Sequence, residues 1–490
     1  MERVDLLIKN GTLVLREGAR PANLAIHEGK IAAILQPGFI PDAARTVDAT
    51  GKHVLPGVVD PEAHPGHSFP LDLDFQTESP AAAAGGITTW GIQDPSPRMG
   101  KKPFKKEAEP SDVVSLNEVM DIAIETGREH CLTDFFYTPQ LETDQQAEEI
   151  LQYAEKYGVT SYKFYLHARR PEIAASMGWY VYRSGLAAGF DDGVVFKTME
   201  NVAKIAPPGI VSIHPENFEI VRVLHQRLID AGRKDMEAWS DRSPHFVEAH
   251  HVRSYAYLAK ITKCPLYIQH TTTAETLFAI RRAKEEGIEI YAQSSPVYLC
   301  LPRGTWKINV PLRDPETMEI LWEALRKGEI DCLGSDHVVA HGTRAEMEVP
   351  GDVWKTVSGF PSRVEMMLPL MLHEGVNKGR ISLERLAEVV SEVPARIFGI
   401  YPRKGTLQVG SDGDVVIVDL KRRITIRNDM IHSRPGWTIL EGRELTGWPV
   451  MTIRRGEVLM EWPEGEPKSR IVATNKGEYI ARRPGSRFLT

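Results

Sequence analysis

Metal-ligand residue types recur at the ends of five short apolar segments, each of which predicts a β-strand. A histidine, lysine or acidic residue near the end of a strand can point into the space beyond the strand's carboxyl end. Imidazole nitrogens and carboxylate oxygens are the groups that divalent transition metals bind. The candidate ligands, in chain order, are Glu62, His64, Lys163, His214, His270 and Asp336.

Glu62 and His64 lie two residues apart, so both side chains point the same way from an extended strand and can share one metal. His67 lies close behind, but its offset from His64 fits strand geometry poorly. A single histidine at a strand end is more often a hydrogen-bonded structural residue, and a single lysine in an apolar strand is expected to extend its ammonium group to solvent. Ligand types at five strand ends, in order along the chain, favour a metal site over that interpretation.

These segments belong to a central region in which short apolar strands, such as 211–213 and 266–268, alternate with helical stretches. That alternation is typical of βα units around a parallel sheet. No GxGxxG motif follows a first strand, so a (β/α)8 TIM barrel of the α/β class is favoured over a Rossmann sheet. Such a barrel carries its chemistry at the carboxyl ends of its strands, where all five segments place their ligand types.

Both ends of the chain have alternating apolar and polar residues and glycine-containing turns, such as Asn10-Gly11 and Arg455-Gly456. We expect residues 1–54 and 400–462 to form one smaller β-sandwich domain beside a catalytic barrel of residues 55–399. The polar tail, residues 463–490, is predicted to be a C-terminal arm that either extends onto a neighbouring subunit or is partly disordered.

The bulk composition limits the partners and the compartment. The 490 residues carry a formal net charge of −7 without a long basic cluster, which argues against nucleic acid as a partner. No apolar run approaches the ~18 residues of a membrane span, and the N-terminus has no signal-peptide pattern. Only four cysteines occur, and none of them forms a CxxC pair. So small a number fits a reducing compartment. The sequence predicts a cytoplasmic protein with no membrane partner.

Several longer motifs resemble the dihydropyrimidinase/hydantoinase branch of the amidohydrolase superfamily. They extend from about residue 4 to residue 460, nearly the whole chain, and together they are highly specific. The matching segments are 56–64, 84–89, 158–164, 214–217, 310–314, 334–337, 394–399 and 404–412.

The resemblance implies a binuclear metal site that acts on a small cyclic amide. Carbon dioxide would carboxylate Lys163, and this N6-carboxylated lysine would bridge two divalent ions, with Zn²⁺ expected and Mn²⁺ or Fe²⁺ as alternatives. A hydroxide between the ions would attack the ring carbonyl, and Asp336 would accept its proton and pass it to the leaving nitrogen. The other implied ligands are Glu62, His64 and Asp336 at the deeper ion and His214 and His270 at the more exposed ion.

Three departures from the family pattern concern the site itself. First, the family has a histidine where this chain has Glu62. An additional carboxylate ligand favours harder ions such as Mn²⁺ or Fe²⁺; alternatively, Glu62 does not bind and the site holds one metal. Second, the family's tyrosine that polarises the scissile carbonyl is replaced by Ala168. His167, Tyr165 or a residue of the following insert must then supply that hydrogen bond.

The third departure is a longer segment between Lys163 and Asp191, which predicts either a lid over the barrel mouth or a subunit contact. Arg169 and Arg183 in this segment could bind a substrate carboxylate. Gln293 stands where many relatives have glutamate. The other candidates for substrate binding are Ser295, Asn309 and His337.

The sequence therefore predicts a metal-dependent hydrolase that opens a cyclic amide, ureide or imide ring other than plain dihydrouracil, as a homotetramer or homodimer. Two further interpretations stay open: a non-catalytic scaffold protein related to dihydropyrimidinase, and a decarboxylase or deaminase on the same barrel. Scaffold relatives have typically lost several ligands, whereas this chain keeps five of the six expected residues.

Overall fold

The computed structural model describes residues 3–67, 69–93, 114–170, 172–173, 177, 189–339, 344–348 and 351–484. The chain begins with strands that bury many of their apolar residues and expose polar ones between them, as strands of a sheet with one solvated face do. These strands are β1 (Val4–Leu15), β2 (Gly18–His27), β3 (Lys30–Leu35), β4 (Ala43–Asp48) and β5 (His53–Pro56).

The next eight strands of the described residues form a closed parallel barrel, which confirms the predicted fold class. They pair as one sheet of three strands and one of five, and parallel bridges from Gln140 to Lys163 and from Ala63 to His337 join the two sheets at both edges. The strands are β6 (Val58–Ala63), β7 (Ile87–Ile92), β8 (Asp134–Tyr137), β9 (Ser161–Tyr165), β10 (Ile210–His214), β11 (Leu266–Ile268), β12 (Ile290–Ser294) and β13 (Cys332–Leu333). Every residue of β6, β9 and β10 is buried, as strands covered on both faces require.

Helices alternate with the barrel strands, and several begin at a capping side chain. Asp191, Thr273 and Asp314 each accept a hydrogen bond from a backbone N–H in the first turn of the following helix. No helix within the described ranges is both long and apolar enough to span a bilayer. The α-helices are Leu71–Ala84, Met120–His130, Asp144–Glu148, Ile150–Tyr157, Asp192–Lys204, Phe218–Asp230, Met236–Asp241, His245–Thr262, Ala274–Glu285, Pro296–Cys300, Pro315–Lys327, Arg344–Met347, Arg363–Leu370, Leu383–Ala387 and Val393–Ile397.

The last strands return to the N-terminal sheet. They are β14 (Val415–Thr425), β15 (Glu444–Arg454), β16 (Glu457–Glu461) and β17 (Arg470–Ile471). Because β14 pairs antiparallel with β5, both ends of the chain build one nine-stranded sheet. An apolar cluster that includes Leu24, Ile26, Val415 and Ile453 joins residues from both ends. The boundaries of the two domains remain a prediction.

The polar tail, as far as residue 484, packs against its own barrel. The backbone N–H of Ile480 donates to the Phe135 carbonyl at 2.7 Å. The buried guanidinium of Arg482 donates to Ser161 Oγ at 2.6 Å and to the Tyr137 carbonyl. This part of the tail is therefore ordered on its own chain, and its contact with a neighbouring subunit stays a prediction.

Candidate active site

Three candidate ligands from separate strands meet at the carboxyl end of the barrel. Glu62 belongs to β6, His270 follows β11 and Asp336 follows β13. One ligand atom of each lies within 4.8 Å of those of the other two, and all three side chains are buried. The backbone N–H of Asp336 donates to the Glu62 carbonyl at 2.9 Å, which holds the two strand ends together. Three convergent donors of these types could hold a metal ion.

His64 joins this group through Nε2, which lies 3.2 Å from Asp336 Oδ1. Its other ring nitrogen, Nδ1, lies 2.8 Å from the hydroxyl oxygen of Tyr165, at the end of β9. A hydrogen bond at the second nitrogen fixes the orientation of a histidine ligand. Tyr165 therefore contacts His64 at the ring nitrogen that does not face Asp336, and its hydroxyl group is hydrogen-bonded there.

Lys163 in β9 is completely buried beside the carboxylate of Glu62. Its Nζ atom lies 3.5 Å from Glu62 Oε1 and 4.4 Å from the centre of the Tyr165 ring. A buried ammonium group is costly unless an anion lies close to it. The implied carbamate would replace this cation with anionic oxygens at the same place.

The imidazole rings of His167, His214 and His270 form a row. The ring centres of His167 and His214 lie 4.2 Å apart, and those of His214 and His270 lie 4.3 Å apart. Burial lowers the pKa of all three histidines, so that the rings are neutral at pH 7. Neutral imidazole is the form that binds metals.

Glu216, just beyond β10, orients His214. Its Oε2 atom lies 2.9 Å from His214 Nε2, and its Oε1 atom accepts a hydrogen bond from Ser243 Oγ at 2.6 Å. With Nε2 engaged in this way, Nδ1 is the nitrogen of His214 that can serve a metal. Glu216 belongs to the sequence motif of residues 214–217, but the sequence does not predict its hydrogen bond with His214.

The backbone of two candidate ligands lies in the left-handed region: φ is 33° at His270 and 52° at Asp336. In non-glycine residues such conformations cost roughly 1–3 kcal/mol and cluster at functional sites. Both residues follow a barrel strand closely. The strain therefore accompanies the turns that bring their side chains into the group.

Arg363, which the sequence analysis did not single out, lies against Asp336. Its Nη1 atom donates to Asp336 Oδ2 at 2.7 Å and to the Asp336 carbonyl at 2.8 Å. Burial raises the pKa of the Asp336 carboxyl, but the Arg363 cation and His64 outweigh burial and lower that pKa well below its usual range. The available signal was a charged residue at the start of a mostly apolar helix, Arg363–Leu370, whose other charged residue is Glu365.

The group fits a bound cation. Glu62 Oε1 and His270 Nδ1 are buried and have no hydrogen-bond partner among the described residues. Burial and the charge of Asp336 raise the pKa of Glu62 to about 7, so this carboxylate needs cations close by to stay ionised. A divalent ion would supply both the missing partner and the charge.

Ser295, a candidate for substrate binding, lies close to this group, whereas the candidate Asn309 binds a buried arginine. Ser295 Oγ donates to the carbonyl of Ser335, the residue before Asp336, at 3.3 Å. Asn309 accepts a hydrogen bond at 3.2 Å from Arg242, which is completely buried. The structure therefore places Ser295 directly beside the end of β13.

Other candidates are not brought into the group. His337 Nε2 lies 2.8 Å from Glu78 Oε2, so its ring is directed towards a covering helix. Arg169 pairs at 3.3 Å with Asp192, the first residue of the helix Asp192–Lys204. Arg183 and most of the predicted lid lie outside the described residues.

Known proteins resemble this chain over nearly its whole length. The model of the Amidohydrolase family matches residues 243–459. The chain is 34% identical to the L-hydantoinase of Paenarthrobacter aurescens, over 98% of both chains. It is 30% identical to the D-hydantoinase of Rhizobium radiobacter, over 98% of this chain and 99% of the relative.

Solved structures agree with this relationship. The L-hydantoinase (dihydropyrimidinase) from Arthrobacter aurescens has a TM-score of 0.82 at 32% identity, over 98% of this chain and 100% of that one. The dihydropyrimidinase from Brevibacillus agri has a TM-score of 0.81 at 25% identity, over 98% of both chains. A shared fold alone would not indicate function, but here sequence identity over the full length supports the same relationship. The chain belongs to the hydantoinase and dihydropyrimidinase branch of the amidohydrolase family, and it is a hydrolase.

Proposed function

We propose that this protein hydrolyses a small cyclic amide, ureide or imide and opens its ring, with two divalent metal ions as cofactors. The observation that carries the proposal is the convergence of Glu62, His64, His270 and Asp336 at the carboxyl end of the barrel. The relatives include hydantoinases and the allantoinase of Escherichia coli, which supports a small cyclic substrate.

The buried position of Lys163 supports its role as a bridge between the ions. Its amine would add to carbon dioxide, forming the nitrogen–carbon bond of a carbamate and releasing one proton. Zn²⁺ is the expected ion, and the carboxylate of Glu62 adds a preference for Mn²⁺ or Fe²⁺, because hard ions favour oxygen ligands. The other ligands would be Glu62, His64 and Asp336 at the deeper ion and His214 and His270 at the more exposed ion.

Bound ions would polarise the ring carbonyl and make water more acidic. Asp336 would accept the proton of the attacking water and return it to the leaving ring nitrogen. Its Oδ1 atom faces His64, whereas Oδ2 accepts a hydrogen bond from Arg363. A carboxylate oxygen accepts more than one hydrogen bond, so Oδ2 can still receive the proton while Arg363 holds it in place.

Among the expected donors to the scissile carbonyl, His167, Tyr165 or a residue of the following insert, we favour His167 for its place beside His214. The hydroxyl group of Tyr165 is engaged with His64, while the ring of His167 lies beside that of His214. Burial keeps His167 neutral, with one ring N–H to donate. This hydrogen bond would replace the one that a tyrosine at the position of Ala168 would make.

We also propose a homodimer or homotetramer in the cytoplasm. Two neighbouring helices, His245–Thr262 and Ala274–Glu285, carry exposed large apolar side chains, which a subunit contact would cover. All four cysteines are buried thiols, as is usual in a reducing compartment. The exposed apolar residues are Phe246, Tyr257, Ile261 and Phe278.

A substrate panel tests the proposed reaction. Protein loaded with Zn²⁺, Mn²⁺ or Fe²⁺ is incubated with hydantoins, dihydropyrimidines, cyclic imides and lactams, and products are identified by mass. We expect at least one ring to gain one water molecule and the Asp336→Asn variant to be inactive on it. A product that has lost carbon dioxide or ammonia instead would contradict ring hydrolysis, and so would protein with two metals per subunit that opens no ring.

A further inference from the structure

Gln293, near the end of β12, makes two hydrogen bonds that fix the direction of its amide group. Its Oε1 atom accepts from the backbone N–H of His270, and its Nε2 atom donates to Glu62 Oε2 at 2.8 Å. Because a backbone N–H can only donate, the amide oxygen must face His270 and the amide nitrogen must face Glu62. All three residues are buried, so water does not compete for these contacts.

Gly334, next to β13, leaves the space for this contact. A Cβ atom at this position would lie 2.5 Å from Gln293 Nε2 and 3.3 Å from the Cβ atom of Glu62. Any side chain there would displace the amide group of Gln293 from Glu62. The hydrogen bond therefore depends on three neighbouring strands, β6, β12 and β13.

The two oxygens of Glu62 consequently have different surroundings. Oε2 is held by Gln293. Oε1 faces Lys163 Nζ at 3.5 Å and His270 Nε2 at 3.8 Å. The anchored oxygen fixes the carboxylate, and the other oxygen points into the candidate metal centre.

We propose that Gln293 is a positioning residue that makes Glu62 a metal ligand through Oε1, and that residues 62 and 293 are a matched pair of one carboxylate and one amide. This inference rests on the proposed function, because it assumes that the group holds metal ions. It goes further than that function because it assigns Gln293 as the hydrogen-bond partner that positions the unusual ligand Glu62.

The chemistry of the contact shows why neither position can change alone. A glutamate at position 293 would set a second carboxylate against Glu62, and the two like charges would repel each other. A histidine at position 62 would remove the acceptor of the amide hydrogen bond. Histidine at 62 together with glutamate at 293 restores a donor that faces an acceptor and keeps one negative charge in the pair. The double exchange also replaces an oxygen ligand with nitrogen, which favours Zn²⁺ over Mn²⁺.

The test compares wild type, Q293E, E62H and the double variant E62H/Q293E. Each protein is equilibrated with mixtures of Zn²⁺ and Mn²⁺, and metal per subunit is measured by mass spectrometry of the elements, with folding followed by circular dichroism. We expect each single variant to lose affinity for one ion by roughly 10- to 100-fold, the usual effect of removing a hydrogen bond behind a ligand. The double variant should regain the second ion with a higher share of Zn²⁺.

Q140E is the matched control. Gln140 is also a buried amide that donates to a carboxylate, Glu142 Oε1, at 2.8 Å, but neither residue is a candidate ligand. This variant measures what a buried pair of carboxylates does to folding, and it should keep both ions. Q293L removes the amide without adding charge, and it serves as the single variant if Q293E does not fold.

Two results would overturn the inference: wild-type affinity for both ions in the variant at position 293, or a double variant that binds metal no better than the single ones. Failure of the proposed function would look different. In that case the wild-type protein itself would bind fewer than two ions or would open no ring.

Discussion

Arg363 holds Asp336 by the carboxylate oxygen that does not face His64. Its Nη1 atom lies 2.7 Å from Oδ2, whereas Oδ1 lies 3.2 Å from His64 Nε2. A buried cation beside the proposed proton acceptor favours the ionised form of that carboxylate. Arg363 therefore influences the pH range in which Asp336 can act as a base.

Replacement of Arg363 by methionine should move the acid limb of the pH–rate profile to higher pH. Since Arg363 lowers the pKa of Asp336, its loss raises that pKa, and the base is then protonated at a higher pH as the solution is acidified. The dependence of kcat/KM on pH measures this shift. Arg482→Met removes another buried guanidinium, away from Asp336, and should leave the acid limb in place. An unchanged limb in Arg363→Met would show that Arg363 does not control this ionisation.

Asp336→Asn should give a folded protein that retains metal and loses at least ~10²-fold in turnover, because the amide cannot accept the proton of the attacking water. The rate is measured on the best substrate of the panel, and metal content is measured on the same sample. Asp331→Asn is the matched control, since Asp331 precedes β13 and pairs with Lys284. Turnover of Asp336→Asn within a few-fold of wild type would refute the proposed base.

The ligand types could be found from the sequence because each one lies at or near the end of a short apolar strand. A parallel barrel brings the ends of all its strands together, so order along the chain was enough to predict proximity. Glu62 and Asp336 are far apart in sequence, yet β6 and β13 are neighbours once the barrel closes. The barrel class was therefore predictable, and with it the convergence of Glu62, His270 and Asp336.

Contacts between side chains could not be predicted in this way. Asp336 and His337 are both ligand types in one motif, but neighbouring residues point apart, and His337 binds Glu78 on a helix instead. Arg363 could not be assigned to the site from the sequence, because a charged residue at the start of a helix is usually solvated. The contacts of Arg482 in the polar tail could not be predicted either, because its acceptors lie on strands far away in sequence.

Lys163→Ala should lower metal content and activity together, since the proposed carbamate would bind both ions. Short carboxylic acids added to this variant should restore part of both by supplying the missing oxygen ligands. Metal per subunit and initial rate are followed against acid concentration, and wild type with the same acids shows any general activation. An unmodified Lys163 amine in a metal-loaded crystal structure would contradict the bridge.

Lys404 is predicted to stabilise the junction between the barrel and the terminal sheet. Its buried Nζ atom lies 2.8 Å from Asp412 Oδ2 and from Asp414 Oδ2, and it also binds Asp134 of β8. Lys404→Met would leave buried carboxylates without this cation and should lower the free energy of unfolding by ~3–5 kcal/mol. Urea denaturation measures the loss. Lys30→Met, which removes a half-exposed partner of Asp412, should cost less than ~1 kcal/mol.

The pH dependence of this contribution has a definite sign. Burial lowers the pKa of Lys404, but the carboxylates outweigh burial and raise it above its usual value. The contribution is therefore fully present at neutral pH and is lost as the pH rises through the pKa of the folded state. The difference in stability between wild type and Lys404→Met should be the same at pH 7 and pH 8, within the error of the measurement.

Glu62→Ala should lose about one metal ion per subunit, because the deeper ion would keep only His64, Asp336 and the bridge. The more exposed ion should remain with His214 and His270. Element analysis gives the stoichiometry, and anomalous scattering from crystals of the variant shows which ion is lost. Glu216→Ala provides the converse control: it releases His214 from its hydrogen bond at 2.9 Å and should weaken the exposed ion instead. If Glu62→Ala keeps both ions and full activity, Glu62 is not a ligand, and its contact with Gln293 would shape the substrate pocket rather than the metal centre.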